Sequence, residues 1–145
     1  FCLTAPSVNH LCKSIVLENT RCSHTSYDNP LDSRYYCVVI QYVASIDVSK
    51  LVRYIRQALG CGTSKKQYNF RLVSAEQSHQ LTGFANNGVC PIGLATPIPV
   101  FIDHAICQLQ PPVLYLGAGH PDWKLALPVK TFCQIAQCHA IDLAQ

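Results

Sequence analysis

The sequence has no methionine, one tryptophan and few charges. Asp, Glu, Lys and Arg together make up 13% of its 145 residues, against about 25% in an ordinary soluble domain. A surface so poor in charge must be largely neutral polar, or partly covered by a partner or by a segment outside the chain. No apolar run approaches the ~20 residues that a membrane-spanning helix needs, and the residues after Phe1 do not read as a secretory leader. No membrane partner is therefore expected. The missing methionine and the abrupt start point to a trimmed or partial chain, which leaves targeting open. The Walker phosphate loop, the Gly-x-Ser-x-Gly nucleophile elbow and the dinucleotide-binding glycine fingerprint are also missing.

Apolar residues account for 49% of the chain, enough for a hydrophobic core without disulfide staples. The length suits one domain spanning residues 1–145. Eleven Lys and Arg against eight Asp and Glu give a net charge of +3. That is compatible with an RNA partner but far from the basic patch that would argue for one unaided, and no DNA partner is expected. Nine cysteines are scattered, several within apolar runs. The odd number and the self-sufficient core read as reduced, mostly buried thiols rather than a secreted disulfide scaffold. A reducing, cytoplasmic location follows as an expectation. The pairs His10/Cys12, Cys22/His24 and Cys138/His139 lack the spacing of a zinc site, so no metal is expected.

Hydrophobic periodicity predicts the elements. Ser14–Leu17 reads as a strand, Glu18–Arg34 as a long polar loop, and Tyr35–Val43 as a central buried strand. Val48, Leu51, Val52, Ile55 and Leu59 have helical spacing, with Asp47 and Gly60 as caps. Lys50, Arg53 and Arg56 lie on the other faces of that helix and read as solvated rather than as an RNA-binding stripe. Phe70–Val73 is a short strand. Ser74 to Gln77 fits a capping box that starts a helix ending near Gly83. Strands follow at Val100–Asp103, Val113–Leu116 and Lys124–Leu127. Pro128 suits the first turn of a helix over Val129–Gln137, and Ala140–Leu143 a last strand. The strands and helices do not alternate as clean βαβ units. The fold class is therefore α+β, a mixed β-sheet with helices packed on it.

Three motifs carry potential chemistry. A Gly/Pro loop runs Asn87-Gly88-Val89-Cys90-Pro91-Ile92-Gly93, an apolar run ends at Asp103, and a small-residue turn runs Gly117-Ala118-Gly119-His120. Backbone N–H groups of such loops can approach a ligand closely. Cys90 would need a lowered pKa and a nearby base to act as a nucleophile. Lys13 stands directly before the first predicted strand.

This order resembles the YbaK family, the prolyl-tRNA-synthetase-associated or editing domain, over about Leu11 to Leu143. The resemblance implies a YbaK-like fold without the N-terminal helix and strand that usually precede the lysine. It implies a hydrolase that removes a mischarged small amino acid of the Cys, Ala or Ser type from tRNA, favouring tRNA(Pro), in trans and without a cofactor. Its partners would be the tRNA acceptor end and prolyl-tRNA synthetase. Lys13, Gly88 and His120 would be the catalytic residues: Lys13 on the terminal adenosine or its phosphate, Gly88 N–H on the aminoacyl carbonyl, and His120 on the water. Asn87, Val89, Cys90, Pro91, Gly93, Asp103, Gly117 and Gly119 would bind substrate, with Asp103 bonding amides of the Gly/Pro loop. Asn87 stands where the family has glycine, and asparagine tolerates φ > 0. A non-catalytic module of the same fold, binding tRNA or a synthetase, is the alternative.

Overall fold

A computed structural model describes residues 6–22, 33–58, 68–84, 89–117 and 124–145. Five strands form one mixed sheet. They are β1 (Cys12–Asn19), β2 (Tyr35–Gln41), β3 (Phe70–Leu72), β4 (Val100–Asp103) and β7 (His139–Ile141), in the order β3-β1-β2-β4-β7. β1 runs antiparallel to β2 and β3, whereas β2–β4 and β4–β7 are parallel. The remaining strands, β5 (Val113–Gly117) and β6 (Lys124–Pro128), form a separate antiparallel ribbon. A parallel bridge from Leu11 to Tyr115 ties this ribbon to the start of β1.

Alternation along the central strand divides the core into two layers. Tyr36, Val38 and Ile40 face one side, and Cys37 and Val39 the other. The first side packs on helix α1 (Val48–Ala58) through Leu51 and Ile55, with Leu17, Phe101 and Leu143. The second packs on the ribbon through Leu114 and Leu116. It also meets helices α3 (His104–Cys107) and α4 (Val129–Ala136) through Ile106 and Phe132. Phe101 is the hub of the α1 side: its ring lies 5.3 Å from Tyr36, 5.9 Å from Tyr54 and 5.5 Å from His139.

Helix starts follow the expected capping chemistry. Asp47 Oδ1 accepts from Ser49 N at 3.0 Å at the head of α1, satisfying one orphan N–H of the first turn. Ser74 Oγ accepts from Gln77 N at 3.1 Å at the head of helix α2 (Ala75–Thr82). Only that half of the expected capping box forms, because Gln77 Nε2 donates instead to Tyr35 Oη at 2.9 Å. Gly83 closes α2 at φ 80°, where a side chain would be strained.

Several boundaries differ from the sequence reading. Glu18 and Asn19 belong to β1, not to the following loop. The Glu18 carboxylate is buried and receives hydrogen bonds from Arg34 Nε at 2.8 Å and Arg71 Nη2 at 2.9 Å, pinning the sheet edge. Burial pushes this carboxyl up, but the bonds and charges of Arg71 and Arg34 outweigh it and hold it below the usual range. Strand β2 stops at Gln41, and Tyr42 and Val43 are exposed. Pro128 ends β6 and caps α4 from outside rather than filling its first turn. The four-residue α3 was not expected, being too short to show a period. Gly60 lies outside the described residues.

Candidate functional site

Strand β1 has an incomplete outer edge. β3 pairs with it only from Leu17 to Asn19, and the bridge to β5 lies back at Leu11. Among the described residues no strand pairs the outer edge between Cys12 and Ile15. A cleft of about 350 Å³ opens there. Strand β1 lines it from Cys12 to Val16, Leu72 and Val73 border it at the end of β3, and Ala75 and Ser78 come from α2.

The cleft gathers three separated parts of the sequence reading: Lys13 from β1, Val89 from the Gly/Pro loop and Gly117 from the end of β5. Lys124, opposite Gly117 in the ribbon, adds a second ammonium. Its Nζ lies 5.6 Å from the centre of the Tyr42 ring, another lining group. Lys13 and Lys124 make no ion pair among the described residues, and no described acidic side chain lines the cleft. The site is therefore electropositive in a chain with few charges, and it suits an anionic or strongly dipolar ligand.

Sequence reasoning missed Ser14. Its Oγ is buried and has no hydrogen-bond partner among the described residues, and the residue lines the same cleft. An unsatisfied buried hydroxyl costs roughly 1–3 kcal/mol. A ligand hydroxyl, amine or carbonyl reaching it would recover that cost. The available signal was a lone serine inside an apolar strand.

The other expected site residues are dispersed. Pro91 and Gly93 line a different groove of about 390 Å³, which they share with Ile135 and His139. Gly93 has φ 75°, so the loop does use left-handed glycine geometry at that position. Cys90 is buried beside Cys37, and desolvation pushes its thiol up, the opposite of what an activated nucleophile needs. Asp103 does not bond any described part of the Gly/Pro loop, as had been expected. Its Oδ1 accepts from Leu143 N at 2.9 Å, and its buried Oδ2 has no partner among the described residues. The terminal segment passes next to the end of β4, which explains the change. Gly88 and His120, with Asn87 and Gly119, lie outside the described residues.

Other titratable groups have structural surroundings. His10 is buried, with Nδ1 2.9 Å from Ser7 Oγ and Nε2 3.0 Å from Pro111 O. The described cysteines are all free thiols. Of these, Cys12, Cys37 and Cys90 are buried, while Cys107 is exposed, so burial is less general than composition implied. Burial pushes Cys12 and Cys37 up to about 12. Asp103, His104 and Asp142 bring potential metal-ligating atoms within 4.8 Å of one another. Lys50 Nζ already lies 3.2 and 3.1 Å from the two Asp142 oxygens and supplies positive charge there.

Residues 5–133 match the aminoacyl-tRNA editing domain family. With nearly the whole chain covered, the protein belongs to that family. Among solved structures, it is similar to a candidate trans-editing enzyme for prolyl tRNA synthetase. The TM-score is 0.74 at 21% identity, over 96% of this chain and 73% of the other. It is also similar to hypothetical protein APE2540, at a TM-score of 0.71 and 17% identity, over 96% and 77% of the two chains. A scaffold from computational epitope grafting gives 0.74 at 19% identity, over 96% and 74%. At these identities the likeness shows the fold, which is the YbaK-like α+β arrangement. No curated protein matched the sequence significantly.

Proposed function

We propose that this protein is an aminoacyl-tRNA deacylase. It hydrolyses the ester between a mischarged small amino acid, of the Cys, Ala or Ser type, and the 3′-adenosine of a tRNA. Its favoured substrate is tRNA(Pro), and it acts in trans, in the cytoplasm, alongside prolyl-tRNA synthetase. The observation that carries this reading is the gathering of Lys13, Val89 and Gly117 around one electropositive cleft in a member of an editing family.

The chemistry follows from the cleft's composition. Water attacks the ester carbonyl, the carbonyl–oxygen bond to the ribose breaks, and the ribose oxygen takes up a proton. Lys13 holds the terminal adenosine or its phosphate, as a mobile point charge can. The N–H of Gly88 donates to the carbonyl oxygen as negative charge develops on it. His120 orients the water. Ser14 and Ser78 offer hydroxyls to the polar end of the amino acid, and Val73 and Val89 exclude bulk. A cleft of about 350 Å³ suits a second sieve for small residues. A synthetase pocket separates these poorly, since one methylene is worth only ~1–3 kcal/mol.

The test is a deacylation assay on tRNA(Pro) charged separately with Cys, Ala, Ser and Pro. Release of one noncognate amino acid, with Pro-tRNA spared, is the expected result. Binding of the charged tRNA without turnover by folded protein would instead make the chain a tRNA-binding module.

A further inference from the structure

A second groove, of about 520 Å³, lies between α1 and the segment leading into β3. Arg53 and Arg56 line it from the helix, and Tyr68 and Phe70 from the facing segment. The two arginines are three residues apart, so they share one helix face. No described acidic side chain lines the groove. The neighbouring cations are differently engaged: Lys50 is paired with Asp142, and Arg34 and Arg71 with Glu18. Arg53 is exposed and makes no ion pair among the described residues. Sequence alone made these arginines an ordinary solvated face, because it could not show what lies across from them.

Two aromatic rings lie across from them. Tyr68 and Phe70 are stacked, with centroids 6.3 Å apart and planes at 14°. Phe70 also meets the buried Tyr36 edge-on at 5.7 Å. Phe70 is thus fixed to the core, and Tyr68 is a half-buried plate on top of it. Guanidinium groups facing an aromatic plate are the combination that binds single-stranded nucleic acid: the cations take phosphates and the ring takes a base. The groove and the cleft also border the same short strand, β3. Phe70 lines the groove and Leu72 the cleft, and two residues of strand span only about 7 Å.

We infer that the groove between α1 and Tyr68–Phe70 binds the RNA strand whose 3′ end enters the cleft beside β1. Arg53 and Arg56 contact its phosphates, and Tyr68 stacks on a base. This deepens the deacylase reading and rests on it for the choice of RNA. It would also let a chain with a net charge of only +3 hold a polyanion without a broad basic surface.

The test uses an uncharged, fluorescein-labelled RNA hairpin with a single-stranded 3′ tail, titrated by anisotropy over a range of KCl concentrations. Because the RNA carries no ester, the result is independent of hydrolysis. Arg53→Ala and Arg56→Ala should each weaken binding about 10-fold at low salt and reduce the salt slope by about 1. Tyr68→Ala should weaken binding roughly 5- to 100-fold, with Tyr68→Phe close to wild type. Thermal melts identify variants that fail to fold. Wild-type affinity and slope in both folded arginine variants would overturn the inference, even if the protein hydrolyses charged tRNA. No RNA binding by the wild type would overturn it too.

Discussion

The two edges of the β1–β2 pair serve opposite ends. On the β2 side, Tyr36 to Ile40 are buried, and the strand is flanked by β1 and β4. On the outer side of β1, Lys13, Ser14 and Ile15 remain half-buried, and no described strand closes the edge between Cys12 and Ile15. One side is closed by packing, and the other is left open with two ammonium groups and an unsatisfied hydroxyl. Core packing and the proposed binding groups thus meet on one strand: Cys12 and Val16 pack into the core and also line the cleft, whereas Lys13 and Ser14 only line it. Substitutions should separate packing from binding.

The largest effect is expected in the closed region. Phe101→Ala removes the ring at the centre of the α1 side and should cost about 4 kcal/mol in denaturant unfolding. A loss below about 1 kcal/mol would mean that this layer is not the core. In the open region, Lys13→Ala should lower the deacylation rate roughly 10²- to 10³-fold while leaving the melting temperature within a degree or two.

Glu18 lies where the two regions meet. Glu18→Gln leaves Arg34 and Arg71 without their carboxylate. It should cost about 2 kcal/mol, discounted because Arg71 is largely solvated. The wild-type carboxyl is held below its unfolded value near 4.5. Its stabilisation is therefore present above that pH and lost as pH falls through the lower folded value. Urea midpoints measured between pH 6 and pH 3 should fall more steeply for wild type than for the variant. Parallel curves would exclude this carboxylate as a stabilising group.

The smallest effect is the most discriminating. Ser14→Ala deletes a buried hydroxyl that has no partner among the described residues and should raise stability by up to about 1 kcal/mol. If the hydroxyl binds the aminoacyl group, the same change should raise KM for charged tRNA. Higher stability with unchanged KM would assign Ser14 no part in binding.

The closed region was largely legible in the sequence. The β-branched run from Tyr35 and the helical spacing of Leu51 and Ile55 follow from burial, which imposes a period. The caps Asp47 and Ser74 follow from local hydrogen bonding. The open region was less legible because its residues converge from distant positions. The resemblance put Lys13, Val89 and Gly117 in one site, and the fold brings these three together. The same reading grouped Pro91, Gly93 and Asp103 with them, yet these face another groove or the C-terminal segment. Backbone path decides such placements, and it leaves no period in the sequence. The separation of β5 and β6 from the main sheet was likewise invisible, since a strand reads the same in either.

Hydrolysis of mischarged aminoacyl-tRNA in the cleft beside β1, as proposed, depends on Lys13. The most direct measurement is release of the amino acid from noncognate aminoacyl-tRNA(Pro) by wild type and Lys13→Ala, side by side, at matched folded concentrations. The expected result is turnover of one small noncognate species by wild type and at least about a 100-fold loss in the variant. Equal turnover by the two proteins, or none by a folded wild type, would contradict the proposal.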